Sequence, residues 1–502
     1  MPQDPRWGRT YESYSEDPNL VRDYARAIVE GLQGEADSNE FLDSSRVLAT
    51  AKHFLGDGAT DNGGDQGDAQ ITETELAQVH AQGYVAALEA GAQTVMASFS
   101  SWQGEKMHGH SYLLTSVLKE HMGHDGVVVG DWNGHGQLPG CSNASSPDAL
   151  NAGLDLFMAV EDWKQLFYNT LRQVKDGIVP LARLEDAVRR MLRVKMRAGL
   201  FDAKQPSKRL RSITTAAAVG CKAHRAVARD AVRKSLVLLK NQGALLPINA
   251  SARVLVTGNA SIEIGKQMGG WTLTWQGNDN QRADFPGATT ILEGIRSHVE
   301  SHGGHMAYSA DGAFTTKPDV AVVICGEEPY AEFQGDIGSL EFEPGHKCSL
   351  ALMRTLKDQG IPVITVFLSG RPLWVNPELN ASDAFIAAWL PGSEGAGVAD
   401  ILFTANNGEV GHDFSGSLPF RWPASPLPGD NTSPLFDLGY GLTYASGKAG
   451  PDLLDEDFGS VQDLYPQEIA VYDKRPLGKC FWKLKVQKPT SCRAPTQRIL
   501  PV

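Results

Sequence analysis

The strongest constraint on the fold of this chain is a pattern of strand, loop and helix that recurs at intervals of about 25 to 45 residues. Its first half contains four short β-rich runs, VLATAKHFLG (47–56), VMASFSSW (95–102), GVVVGDW (126–132) and GLDLFM (153–158). A long βα series is typical of a (β/α)8 barrel or a doubly wound parallel sheet. A complete barrel has eight strands and only four are clear here, so the strand count alone leaves both architectures open.

Helical patterns separate the strands of this first region. They predict helices over 75–90, 112–121, 161–176 and 184–198. Thr72 and Glu75 have the spacing of a capping box, which marks the start of the first of these helices. In a barrel, active sites are built at the carboxyl ends of the strands, so chemistry is expected where each run becomes polar.

A second α/β pattern follows a polar, proline-containing stretch that we interpret as a linker over 203–223. The pattern predicts strands at 253–257, 320–325, 362–368 and 384–390, and helices at 224–240, 348–357 and 395–404. This alternation predicts a second α/β domain over 224–445. Residues 446–502 are predicted to be a tail, either disordered or the remnant of a C-terminal extension, because its last 29 residues hold eight Lys or Arg and no Asp or Glu.

Composition excludes several classes of function. The chain has 46 Lys and Arg against 59 Asp and Glu, so its formal net charge of −13 argues against nucleic-acid binding. No run approaches the roughly 18 apolar residues that a membrane-spanning helix needs. The six cysteines include no CxxC pair, and the spacing His108-x-His110 has no visible further ligands, so we predict no metal site.

Polar residues end two of the predicted barrel strands. Lys52 and His53 are adjacent donors suited to sugar hydroxyls, phosphates or carboxylates, and Asp131 with Trp132 follows the run GVVVG. Each pattern also has an ordinary explanation, because Asp131 suits the N-cap of the next helix and a Lys-His pair suits a solvated strand end. Arg9 lies beside Trp7 in a glycine-containing loop, which alone indicates little.

Two segments of the second domain add to this set. GGWTLTWQG (269–277) has two tryptophans four residues apart, suited to stacking on sugars or to packing at a domain interface. GEEPYAEFQGD (326–336) follows a strand and is either a solvated acidic loop or a source of catalytic carboxylates. Two carboxylates with aromatic and basic neighbours suggest a glycosidase, whose retaining form needs carboxyl groups about 5–5.5 Å apart.

Taken together, these segments resemble family 3 glycoside hydrolases, in particular the branch of exo-1,3/1,4-β-glucanases and β-glucosidases. The resemblance is carried by DPRWGRTYESYSEDP, AKHFLGDG, VMASFSSW, GVVVGDWNG, RDAVRKSLVLLKN, GGWTLTWQG, GEEPYAEFQGD and LGYGLTY, in this order from about residue 4 to 444. It implies a (β/α)8-type barrel followed by an α/β sandwich, and hydrolysis of terminal β-D-glucosyl residues of β-glucans or cello-oligosaccharides with retention of configuration.

The resemblance also implies roles for individual residues. Asp131 matches the catalytic nucleophile and Glu332 the general acid/base, with Glu327 as the rival candidate for the second role. It further implies that Glu332 is protonated when the substrate binds and that no metal or organic cofactor is needed. The implied substrate-binding residues are Arg9, Lys52 and His53 for the terminal glucose, and Trp132 and Trp275 for the next sugar.

One departure from the family pattern concerns the N-terminus. Family members carry about three barrel strands before the motif DPRWGR, so we expect an N-terminally truncated chain with a partial (β/α)8 TIM-type barrel over residues 1–202. The alternatives to a β-glucosidase are therefore an inactive fragment with at most weak sugar binding, and a β-xylosidase. The resemblance leads us to expect a periplasmic or secreted protein, although this chain carries no signal peptide, and the sequence does not indicate an oligomeric state.

Overall fold

The computed structural model describes residues 2–203, 219–405, 408–427 and 433–457. The chain divides into two compact units, unit 1 within Met1–Leu210 and unit 2 within Arg211–Val502. The predicted linker and tail fall mostly outside the described residues. None of the described helices combines the length and the apolar character that crossing a membrane requires.

Unit 1 is built on a parallel sheet of three strands in the order β1-β3-β6, together with a small three-stranded sheet in the order β2-β4-β5. Its strands are β1 (Thr50–Phe54), β2 (Asp68–Ala69), β3 (Thr94–Ala97), β4 (Ser101–Trp102), β5 (Glu105–Lys106) and β6 (Val127–Val129). Parallel strands need crossover connections, which helical segments provide between β1, β3 and β6. The predicted partial barrel is confirmed.

The helices of unit 1 cover its strands with a mixture of regular and wide turns. The α-helices are Pro18–Gln33, Glu73–Glu75, Gln82–Glu89, Pro147–Ala152, Trp163–Lys175 and Leu181–Arg197, and two segments with π-type bonding are Leu76–His80 and Tyr112–His121. The predicted helix 75–90 is therefore interrupted by one π turn. Its predicted start is correct, because the Thr72 side chain accepts a hydrogen bond from the Glu75 N–H at 3.2 Å.

The fourth predicted strand of unit 1, over 153–158, is wrong as a strand. Only Leu156 forms a parallel bridge, with Val129 of β6. Asp155 lies beside it with a fully buried carboxylate, which accepts a hydrogen bond from the Val128 N–H at 2.9 Å and pairs with Lys119 at 2.7 Å. A side chain thus takes a position on β6 where a regular strand would place a backbone carbonyl.

Unit 2 is a six-stranded sheet in the order β7-β12-β11-β10-β8-β9, parallel except for the antiparallel edge strand β7. Its strands are β7 (Val237–Asn241), β8 (Arg253–Thr257), β9 (His305–Tyr308), β10 (Val320–Gly326), β11 (Val363–Leu368) and β12 (Ala384–Ala387). Its helices are Lys222–Ser235, Ile264–Met268, Ile291–Ser301, Cys348–Asp358, Asn376–Asn380 and Ala396–Leu402. Alternate strand residues belong to two separate apolar clusters, as a sheet covered on both faces requires. The predicted α/β sandwich is confirmed.

The predicted helix 224–240 ends too late. The helix stops at Ser235, and Val237–Asn241 forms β7, with all five residues buried. A short continuous apolar run fits a strand buried on both faces as well as a helix, and pairing with β12 decides between them here. The helix Ile291–Ser301 and strand β9 were not predicted.

Glu378 is the buried carboxyl group of unit 2 that responds most directly to pH. It is 1 % exposed, and its Oε1 lies 3.1 Å from Lys347 Nζ. Burial raises the pKa of Glu378 from its usual 4.5 to about 7, although the Lys347 ammonium opposes the shift. The folded protein therefore binds more protons than the unfolded chain between these two pH values, and its stability falls as the pH rises through them.

We predict that Glu378→Gln removes this pH dependence. The free energy of unfolding of the variant, measured relative to that of wild type, should rise by about 2 kcal/mol from pH 5 to pH 8, because only wild type must ionise a buried acid. Urea unfolding at the two pH values measures the difference. Glu341→Gln is the matched control, since Glu341 faces the same Lys347 Nζ at 3.4 Å from a more exposed position. An unchanged difference for Glu378→Gln would contradict the assignment.

Candidate active site

Asp131 follows the buried strand β6 and meets His53 of β1. The Asp131 Oδ2 lies 3.5 Å from His53 Nε2, and its Oδ1 accepts a hydrogen bond from the Trp132 N–H at 2.7 Å. The Asp131 side chain is 15 % exposed and that of His53 is 8 % exposed. The structure therefore brings two of the predicted site residues together at the carboxyl ends of two strands of one sheet, with the carboxylate within reach of solvent.

Arg9 belongs to the same group although it comes from a loop far away in sequence. Its Nη2 lies 3.5 Å from His53 Nε2. Its guanidinium binds Glu12 through two hydrogen bonds, of 2.7 and 2.8 Å, which fixes the plane of the guanidinium. Sequence analysis missed Glu12, and the spacing of three residues between Arg9 and Glu12 was the available signal.

Lys52 and Trp132 differ from these residues in being open to solvent. Lys52 is exposed and makes no hydrogen bond or ion pair with the described residues, so its ammonium group is available to a ligand. Trp132 is 56 % exposed next to Asp131. An exposed indole beside a fixed carboxylate offers a flat apolar face to a sugar ring.

Asp57 is a second carboxylate in this group, and sequence analysis did not single it out. Its Oδ2 lies 3.1 Å from His53 Nδ1, and its Oδ1 accepts a hydrogen bond from Ser98 Oγ at 3.1 Å. Burial acts to raise the pKa of Asp57, but His53, Arg9 and Ser98 outweigh it, and the pKa lies below its usual range. Asp57 is therefore an anion that holds His53 from the side opposite to Asp131.

His108 binds the backbone of the Asp131 loop. Its Nε2 accepts a hydrogen bond from the Asp131 N–H at 2.9 Å. Burial lowers the pKa of His108 to about 4, so the imidazole is neutral and able to accept. The sequence analysis considered His108 and His110 only as metal ligands. Within the described ranges, no group of three or more His, Cys, Asp or Glu side chains could hold a metal ion.

In unit 2, Glu332 lies in the acidic loop after β10. The residue is 8 % exposed, and its Oε2 accepts a hydrogen bond from Trp275 Nε1 at 2.5 Å. Gln276 binds the same loop in both directions, donating to the Glu332 carbonyl at 3.1 Å and accepting from the Ala331 N–H at 2.7 Å. The predicted residues Trp275 and Glu332 therefore form one hydrogen-bonded group.

Three aromatic side chains are exposed beside Glu332. Trp275, Trp271 and Phe333 are 43 %, 49 % and 38 % exposed. The ring centroids of Trp275 lie 6.4 Å from Trp271 and 6.3 Å from Phe333. Of these three aromatic residues, the sequence analysis assigned only Trp275 to sugar binding, although the spacing of four residues between the two tryptophans had already indicated Trp271.

Glu327, the rival candidate for the acid/base, has a different environment. Its side chain is 6 % exposed, its Oε2 accepts a hydrogen bond from Tyr330 Oη at 2.9 Å, and its Oε1 lies 3.6 Å from Arg371 Nε. Arg371 is fully buried, stacks on the Tyr330 ring and donates to the Gly335 carbonyl at 2.6 Å. Glu327 is thus an internal counter-ion that ties the acidic loop to the core, which favours Glu332 as the reactive carboxyl group.

Comparison with protein families follows the same division of the chain. Residues 1–194 match the glycosyl hydrolase family 3 N-terminal domain, and residues 236–444 match the family 3 C-terminal domain. The chain belongs to glycosyl hydrolase family 3. The family predicted from the sequence motifs is thereby confirmed.

Individual relatives agree with this membership. A crystal structure of a mutant of the exo-1,3/1,4-β-glucanase ExoP from a Pseudoalteromonas species is 51 % identical with a TM-score of 0.89, over 91 % of this chain and 74 % of that one. A lysosomal β-glucosidase of Dictyostelium discoideum is 32 % identical over 88 % of this chain and 57 % of its own length. A periplasmic β-glucosidase of Salmonella typhimurium is 28 % identical over 88 % and 64 %.

Another relative carries a different name. A β-xylosidase of Formosa agariphila is 28 % identical over 90 % of this chain and 66 % of its own length. The chain thus spans 57 to 66 % of the length of these three curated relatives. The wider comparison therefore supports one family with more than one sugar specificity.

We predict that Arg371→Met destabilises unit 2 by about 3 kcal/mol, because it leaves the Glu327 carboxylate buried without its counter-ion. Adding Glu327→Gln should recover part of the loss, since the uncompensated charge is then removed. Urea unfolding measures both variants.

The matched control is Arg354→Met, which breaks the exposed pair with Glu456, 2.6 Å apart, and should cost about 1 kcal/mol or less. Equal losses for Arg354→Met and Arg371→Met, or no recovery in the double variant, would contradict the role given to Arg371.

Proposed function

We propose that this protein is a retaining, exo-acting β-glucosidase or β-glucan glucohydrolase, which removes terminal β-D-glucosyl residues from β-glucans or cello-oligosaccharides. The observation that carries the proposal is the Asp131 carboxylate, fixed at a strand end beside His53 and partly open to solvent. Support for the substrate class comes from the 51 % identity with an exo-1,3/1,4-β-glucanase and from the relatives named β-glucosidase.

In the proposed first step, Asp131 is the nucleophile. One of its oxygens attacks the anomeric carbon while the bond from that carbon to the leaving oxygen breaks, and a covalent glycosyl-enzyme forms. Glu332 donates its proton to the leaving oxygen, so that an alcohol departs rather than an alkoxide. The contacts of Asp131 with His53 and the Trp132 N–H support this role because they orient an ionised carboxylate without burying it completely.

In the proposed second step, Glu332 is the base. It takes a proton from a water molecule, whose oxygen attacks the anomeric carbon, and the ester bond to Asp131 breaks. Two inversions give net retention of configuration. The hydrogen bond from Trp275 Nε1 to Glu332 Oε2 supports this assignment, because it holds the carboxyl group in one orientation.

The remaining predicted residues are proposed to bind the sugar. Arg9, Lys52 and His53 supply donors for the hydroxyl groups of the terminal glucose, and the exposed faces of Trp132 and Trp275 stack on the next ring. Stacking reads the flat face of a ring and not the orientation of each hydroxyl group. A β-glucosidase with this arrangement should therefore accept more than one linkage.

The proposed site of action is the periplasm or the exterior of the cell. It is supported by the relative named periplasmic β-glucosidase. The relative named β-xylosidase supports xylosides as the second candidate substrate class. An inactive sugar-binding fragment is the remaining alternative, and the following measurements distinguish it.

We predict that Asp131→Asn lowers kcat on an aryl β-glucoside by at least about 1,000-fold, because an amide does not form the glycosyl-enzyme. Asp162→Asn is the control, since Asp162 is exposed and its side chain makes no capping bond. The wild-type protein, measured in parallel, should hydrolyse the aryl β-xyloside more slowly than the aryl β-glucoside. A soluble but inactive wild type would support the fragment, and an equal effect of the two substitutions would refute the assignment of Asp131.

We also predict that the effect of Glu332→Gln depends on the leaving group. With a dinitrophenyl glucoside, whose leaving group needs no proton, bond cleavage should be little changed, whereas a methylumbelliferyl or alkyl glucoside should react about 100-fold or more slowly. Glu328→Gln is the control from the same loop. If Glu332→Gln slows the formation of glycosyl-enzyme equally for all leaving groups, Glu332 is not the acid.

A further inference from the structure

A series of polar contacts runs through Asp131 in unit 1. On one side the Asp131 N–H donates to His108, and on the other the Asp131 carboxylate faces His53, His53 faces Asp57, and Asp57 accepts a hydrogen bond from Ser98 Oγ. Both the backbone and the side chain of Asp131 are therefore held. His53 lies in β1, the residues Asp57, Ser98 and Asp131 follow β1, β3 and β6, and His108 lies in the turn Met107–Gly109 after β5.

His108 accepts the hydrogen bond from the Asp131 N–H because its imidazole is neutral. A ring nitrogen that accepts the Asp131 N–H carries no proton, so the proton of a neutral His108 is on Nδ1. His108 is 1 % exposed, and the low pKa caused by burial agrees with this state.

Two glycines make room for the His108 imidazole. A Cβ at Gly134 would lie 2.4 Å from the His108 ring, and one at Gly130 would lie 3.4 Å from it. Only a loop without a side chain at position 134 approaches the imidazole so closely. The loop that carries Asp131 is therefore built around His108.

Asp57 acts on the side chain of Asp131 through His53. The contact between Asp57 Oδ2 and His53 Nδ1, at 3.1 Å, sets the plane of the imidazole. His53 Nε2 then faces both Asp131 Oδ2 and Arg9 Nη2, each at 3.5 Å. Removing the Asp57 carboxylate would take away the acceptor that holds the Nδ1 side of His53, and the ring would be able to turn away from Asp131.

We propose that Asp57 and His108 are positioning residues, which fix the Asp131 carboxylate for attack, His108 through the backbone of the Asp131 loop and Asp57 through His53. The inference rests on the proposed role of Asp131 as the nucleophile. Reacting atoms must be held within a few tenths of an ångström, and a displacement of about 1 Å can cost about 100-fold in rate. Neither residue takes part in the proton transfers proposed for Asp131 and Glu332.

The test uses Asp57→Ala, His108→Phe and the double variant in the full chain. His108→Phe should lower kcat on an aryl β-glucoside by about 100-fold with KM changed less than about twofold, because the proposed substrate-binding residues remain in place. Asp57→Ala should lower kcat by a similar factor and also raise KM, because it releases His53, which is itself a proposed sugar-binding residue. Since both residues position the same carboxylate, the double variant should lose less kcat than the product of the two single losses. Multiplicative losses, or KM effects without kcat effects, would overturn the proposal.

Matched variants separate positioning from general damage. His108→Gln supplies a neutral acceptor in place of the imidazole and should recover at least about tenfold over His108→Phe. His110→Phe removes another buried histidine two residues away, and Asp61→Ala removes an exposed carboxylate four residues from Asp57, so both should leave kcat within about twofold. Thermal unfolding confirms that each variant is folded.

Crystal structures of Asp57→Ala and His108→Phe give a readout that does not depend on activity. The distance between Asp131 Oδ2 and His53 Nε2, 3.5 Å in the wild type, should increase by about 1 Å or more in at least one of them. Unchanged positions of Asp131 in both would overturn the inference. If the wild type hydrolyses no β-glycoside, the proposed function fails. The two crystal structures alone then decide whether Asp57 and His108 position Asp131.

Discussion

A carboxylate at the end of a buried strand loses bound water and needs hydrogen bonds or charged partners in its place. The arrangement of polar side chains in unit 1 depends on which partners each carboxylate finds. Asp131 keeps part of its hydration and takes one contact from His53 and one from the backbone of its own loop. Asp57 is held by His53 and Ser98, which together with Arg9 keep it ionised despite burial. This difference supports the proposed roles, with Asp57 as a positioning residue and Asp131 as the nucleophile.

Unit 2 follows the same rule in its acidic loop. Glu327 is buried with Arg371 and Tyr330, and these contacts draw the beginning and the end of the loop onto the sheet. Glu332 instead receives a neutral donor, from an indole that is itself exposed. Because a buried charge is tolerated only when it is paired, the carboxylate that faces the buried guanidinium is the structural one. Glu332, which is bound by a neutral indole, is the carboxyl group that we propose as the acid/base.

The sequence predicted the units because strand periodicity and strand-end polarity are local properties. It placed β10 and β11 within a residue of their bounds and identified the polar ends of β1 and β6. It failed where distant residues decide the outcome. The run Val237–Asn241 is helical or extended by composition alone, and pairing with β12 makes it a strand. Likewise, residues 153–158 lose most of their ladder because Asp155 inserts its carboxylate into β6.

The same reasoning explains which parts of the candidate site were missed. Asp131 and His53 stand out in sequence because they are polar residues at strand ends, and Arg9 was assigned only through the family resemblance. Asp57 and His108 matter through the residues that they contact, which the sequence does not show. His108 shows this most clearly. In sequence it is one half of an HxH pair and suggests a metal, but burial removes its charge and leaves it an acceptor for one backbone N–H. A residue's identity limits the chemistry that it can perform, and its burial and partners select which part of that chemistry the fold uses.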